Sequence, residues 1–97
     1  MIRHVVLFTW SPDADADRRA ATVAALRDLR TRVGGMTSLV VTEDAGLRDG
    51  NADAVLLAEF PDAEAFLRYA DDPVHLAVIA EHVRPILAAR SAVQYRV

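Results

Sequence analysis

Three histidines and two tyrosines hold most of the chemistry open to this chain. Its 97 residues include no cysteine and no lysine, and all eleven bases are arginine. That composition excludes disulfide staples, cysteine-based zinc sites, a thiolate nucleophile, Schiff-base chemistry and a P-loop lysine. Acid–base work by imidazole and phenol is what is left. His4 shares a strand face with Ile2, Val6 and Phe8. It reads first as a buried imidazole bonded to a neighbouring backbone, and second as a proton carrier. His75 follows Pro73 at a helix start, where unpaired N–H groups lower an imidazole pKa and favour an oxyanion. Tyr69, six residues earlier, offers a phenol that could donate to a carbonyl or enolate oxygen. The plain alternatives are a solvated helix-end histidine and a half-buried tyrosine covering the core. His82 reads as surface. No HxxxH pair, nucleophile elbow or glycine-rich phosphate loop is present, so neither a metal nor a cofactor is expected.

The elements that must position these residues follow from hydropathy and breakers. Residues 2–10 alternate as a strand, with Ile2, His4, Val6, Phe8 and Trp10 on one face and Arg3, Val5, Leu7 and Thr9 on the other. Asp13, Asp15 and Asp17 supply caps for a helix running to about Val33, with an apolar stripe of Ala16, Ala20, Val23, Leu26, Leu29 and Val33. Gly34-Gly35 stops it. Met36 to Glu43 and Asp53 to Phe60 read as strands, separated by a loop with Gly46 and Gly50. Asp62 caps a short helix ending near Ala70, and Asp71-Asp72-Pro73 breaks the direction. A further helix is expected from about Val74 to Ala89, kinked or split at Pro85. Ser91 to Val97 is the last strand. The order β-α-β-β-α-β is the ferredoxin-like arrangement of an α+β domain, expected as one domain over residues 1–97.

Partners can be narrowed too. Fourteen acids against eleven bases give a net charge of −3, which disfavours general binding to nucleic acid or an anionic membrane. The apolar run Val5–Trp10 is far short of the ~20 residues of a membrane span, so the expected location is cytoplasmic. Val5-Val6-Leu7-Phe8, Leu39-Val40-Val41 and Val55-Leu56-Leu57 are apolar on both faces, as in a sheet covered on both sides. Two helical segments can cover only one face of a four-stranded antiparallel sheet. A second copy packed sheet to sheet is the simplest cover for the other, and Trp10, at a strand end, reads first as a packing residue and second as part of that contact. On the helix side, Val23 and Leu26 are expected to close an apolar pocket over His4, Val6 and Phe8, the usual form of a small-molecule site.

The start Met1-Ile2-Arg3-His4-Val5-Val6-Leu7-Phe8 resembles the stress-responsive dimeric α+β barrel (Dabb) family. So do Gly46-Leu47, Gly50-Asn51, Glu59-Phe60, Tyr69, Pro73-Val74-His75, Arg84-Pro85, Arg90 and Tyr95, in order along the whole chain. The resemblance implies a ferredoxin-like protomer that pairs through its sheet as a dimeric α+β barrel. It also implies catalytic roles by likeness to olivetolic acid cyclase, a plant polyketide cyclase of the family that works by aldol condensation. There a histidine just after a proline is the base and a tyrosine on the preceding helix assists, positions held here by His75 and Tyr69. The cyclase's third-strand histidine is matched here by Ala54, and the family's His-Pro-x-His turn reads Asp72-Pro73-Val74-His75. Three readings stay open: a cofactor-free cyclase or isomerase acting on a small apolar or aromatic carbonyl compound, a stress-associated or ligand-binding protein without turnover, and a dimeric scaffold.

Overall fold

The computed structural model describes residues 1–97. Strand β1 (Ile2–Trp10) is followed by helix α1 (Ala16–Arg32), strands β2 (Ser38–Glu43) and β3 (Ala54–Phe60), helices α2 (Ala63–Asp71) and α3 (Pro73–Val78), and strand β4 (Leu87–Arg96). The sheet order is β2-β3-β1-β4, with every neighbour antiparallel. This is the expected ferredoxin-like sheet with its helices on one face.

Alternation along β1 sets which face is which. Ile2, His4, Val6, Phe8 and Trp10 are buried under the helices, and the residues between them face the other way. Register carries the pattern across the sheet. Val6 pairs with Leu56 and Phe8 with Ala54, so β3 sends Ala54, Leu56, Ala58 and Phe60 into the same core. On α1, Val23, Leu26, Leu29 and Val33 pack inward as expected. Ala16 and Ala20 do not: both are exposed, and Thr22 takes the inward place. The Thr22 hydroxyl donates to the backbone carbonyl of His82 at 3.0 Å, which makes burying it acceptable. Asp15 caps α1 by accepting from the Arg18 amide, and Asp62 caps α2 from the Ala65 amide.

The long helix expected to Ala89 is instead broken in three. After α3 the backbone widens into a π turn (Ile79–Val83), in which the Arg84 amide reaches the Ile79 carbonyl, and then tightens into a 3₁₀ turn (Arg84–Ile86). Pro85 has no amide to continue the helix, and the chain leaves it at Leu87. The last strand therefore starts at Leu87, four residues before the expected Ser91, and ends at Arg96.

The open face of the sheet is apolar and uncovered in the single chain, with Leu7 44%, Val40 51% and Val93 55% exposed. A polar cluster crosses it. Arg3 donates to Glu59 at 3.2 and 2.9 Å and to the Tyr95 hydroxyl at 2.8 Å, while the Ser38 hydroxyl donates to Glu59 at 2.7 Å. Trp10 is not on this face. It is buried on the helix side, stacked on Phe8 with ring centroids 5.2 Å apart.

Candidate active site

The helix layer stops short of β4, which is exposed from Ala88 onward. Between that strand and the α2–α3 corner lies a cavity of about 320 Å³, within the range of small-molecule sites. Its floor is the helix-side face of β1, His4, Val6 and Phe8, with Leu56 of β3 beside them. Its wall is Phe66 and Tyr69 of α2, His75 and Leu76 of α3, and Ile79 and Val83 of the π turn. Its rim carries Arg84, Leu87, Arg90 and Gln94.

The junction of α2 and α3 sets the geometry. Asp72 ends α2, where its amide donates to the Tyr69 carbonyl, and begins α3, where its carboxylate accepts from the Val74 amide at 2.8 Å. Pro73 occupies the first helical position, where its missing amide costs nothing. The sharp corner folds His75 back onto Tyr69, with ring centroids 4.3 Å apart and planes at 37°. His75 Nδ1 lies 3.2 Å from the Ala70 carbonyl oxygen. A carbonyl oxygen only accepts, so Nδ1 carries the hydrogen and Nε2 keeps the lone pair. Burial pushes the His75 pKa below its ordinary value, against the opposing pull of the Ala70 hydrogen bond and Asp72. The ring is therefore a neutral base at pH 7.

His4 is set the other way. It is 5% exposed, and Gln94 Nε2 donates to its Nδ1 at 2.9 Å, so its hydrogen sits on Nε2. Its partner is a side chain, not the neighbouring backbone that the sequence suggests. Burial first, then the charge of Arg90, and then that of His75 whenever its ring is protonated, bring its pKa down to about 4. Phe66 lies against it at 4.9 Å between centroids, and Tyr69 at 6.2 Å. Burial pushes the Tyr69 phenol up to about 12, so it stays protonated and can donate. The cavity thus presents a neutral base, a phenol and a neutral imidazole in a mostly apolar lining whose rim carries Arg84, Arg90 and Gln94.

Of the residues expected in the site, His4, Val6, Phe8, Tyr69 and His75 line one cavity. Val23 and Leu26 do not line it. They are buried in the core beneath α1, and α2, α3 and the π turn enclose the cavity instead. Sequence reasoning passed over Phe66 and Gln94. Phe66 stands three residues before Tyr69, the spacing of one helix face, and Gln94 is the cross-strand partner of His4. His82 is half-buried, outside the cavity, 4.0 Å from the Glu81 carboxylate. No cluster of three or more His, Asp or Glu is placed to hold a metal ion. No helix is long and apolar enough to cross a membrane.

Comparison with known proteins agrees with this architecture. The family model described as the stress responsive A/B barrel domain, Dabb, matches residues 2–97. A Thermobifida fusca protein, a dimeric ferredoxin-like protein of unknown function, is 32% identical with a TM-score of 0.90, covering 99% of this chain and 90% of that one. A Dabb family protein with a ferredoxin-like fold from Mesorhizobium loti is 21% identical with a TM-score of 0.84, over 99% of this chain and 95% of that one. The hydroxynitrile lyase of Passiflora edulis is 17% identical with a TM-score of 0.86, over 99% and 92%. No curated protein matches the sequence.

Proposed function

The chain belongs to the stress responsive A/B barrel domain family, and from that premise we propose that its cavity is a catalytic small-molecule site. His75 is the general base, its Nε2 lone pair taking a proton from the carbon next to a substrate carbonyl. Tyr69 is the donor that stabilises the developing enolate oxygen. His4, through Nε2–H, is a second donor held in place by Gln94. The reaction class is cofactor-free proton transfer, as in a cyclase or isomerase acting on a small apolar or aromatic carbonyl compound. The observation that carries this reading is the close, tilted His75–Tyr69 pair, with the His75 tautomer set by the Ala70 carbonyl. A lyase among the similar structures shows that the fold hosts catalysis in one neighbour. The working unit in this reading is a cytoplasmic homodimer paired through the open sheet face, as the dimeric neighbours suggest.

The test is hydrogen–deuterium exchange at the α-carbon of 4-phenylbutan-2-one, followed by NMR in D₂O. The wild-type protein accelerates exchange. His75→Ala loses that acceleration by roughly 10²–10⁴-fold, the ordinary worth of a general base, while the fold survives. Tyr69→Phe loses less. Exchange undiminished in His75→Ala removes His75 as the base. A ketone that raises the melting temperature but does not exchange supports the second reading, a binding protein without turnover. The mostly apolar lining favours that reading, because it would hold such a compound without any chemistry.

A further inference from the structure

The base–phenol pair leaves the rim of the cavity unexplained. Arg84, in the 3₁₀ turn, and Arg90, on β4, both line it, and both side chains are exposed at its mouth. Neither has a carboxylate partner: the ion pairs of the chain are Arg3–Glu59 and His82–Glu81. The lining contains no aspartate or glutamate at all. In a chain of net charge −3, this is a local concentration of one sign. Register explains how Arg90 reaches the site. It is the cross-strand partner of Phe8, so it projects on the helix side of the sheet with Gln94. The Arg90 charge acts on His4, Tyr69 and His75 alike, pulling each pKa down against or alongside the effect of burial.

We propose that the ligand of this cavity is a small monocarboxylate, with its apolar body among Phe8, Leu56 and Phe66 and its carboxylate held at the rim by Arg84 and Arg90. A guanidinium is the side chain best shaped for this, because its parallel N–H groups match the two carboxylate oxygens. The inference rests on the cavity being a ligand site and narrows the substrate class to an acid.

A matched pair of probes tests it: 3-phenylpropanoate and 3-phenylpropanamide, which differ in charge but hardly in shape. Isothermal titration at pH 7 should give roughly tenfold tighter binding of the acid. Added salt should weaken the acid and leave the amide unchanged, because screening acts on the charge alone. Arg90→Gln should bring the acid down to the affinity of the amide with no change in melting temperature, and Arg84→Gln should do so in part. An amide that binds as tightly as the acid overturns the carboxylate assignment and leaves the cavity reading standing. Failure of both probes to bind overturns the two together. Acid binding that Arg90→Gln and Arg84→Gln leave unchanged overturns the role of the rim.

Discussion

The two halves of the helix layer are built on different rules. Over β2 and β3, α1 packs on the sheet, and Leu26 and Leu29 are wholly excluded from solvent together with Ala58 and Phe60. Every inward position there is apolar or, like Thr22, has a partner. Over β1 and β4 the helices are short and turn at Asp72, and a cavity of about 320 Å³ opens below. Inward positions in this half include His4, Tyr69, His75 and Gln94. One half buys stability with close packing, and the other gives up packing for a space with polar groups at set positions. The contrast shows where substitution should hurt folding and where it should hurt function.

The largest effect should come from the packed half. Leu29→Ala removes a fully buried side chain and should cost about 2–5 kcal/mol in urea denaturation, while Leu76→Ala at the cavity wall, half exposed, should change stability by less than about 0.5 kcal/mol. Equal losses at the two positions would break the comparison. The next effect belongs to the cavity half and is a matter of pH. His4 has a pKa of about 4 when folded against 6.5 for a free side chain. Between these values the unfolded chain binds a proton that the folded chain does not, so stability falls as pH drops from 6.5 to about 4. The fall should approach roughly 3 kcal/mol, at about 1.4 kcal/mol per pK unit. His4→Phe should flatten that slope in melting curves taken across the same range. A smaller effect is expected at the corner. Asp72→Ala loses the carboxylate that caps α3 and should cost about 1 kcal/mol. It should also lower the His75 pKa further, seen by NMR titration, because Asp72 is one of the groups holding that pKa up. Asp72→Asn should restore the cap but leave the lowered pKa.

The same division marks what could be read from the sequence. The packed half was legible, because alternation in β1 and the Val23–Leu26–Leu29–Val33 spacing are forced by burial of apolar side chains. The misplacement of Ala16 and Ala20 has a simple cause: alanine is nearly indifferent to burial, and a hydroxyl with a backbone partner can displace it. The cavity half was legible only in part. His4 was placed on the inner face by alternation alone, whereas the pairing of His75 with Tyr69 came from family resemblance, since six residues of separation across a corner predicts no contact. Val23 and Leu26 fall outside the cavity: helix periodicity says which face turns inward but not what lies beneath it. Gln94 could have been found from the register of β4 against β1, which depends on where the preceding helix ends. The start of β4 was missed because nothing in local propensity announces a π turn.

That turn has a consequence for how the protein could diverge. A π turn holds one residue more than the α-helical turn it replaces. Loss of a single residue between Ile79 and Val83 would let the helix close normally, with the residues on either side keeping nearly the same register. The wall of the cavity between Ile79 and Val83 would be shortened by one residue. The width of the opening is therefore governed by the number of residues in one turn as much as by their identity, and relatives that differ there by one residue should differ in what they admit.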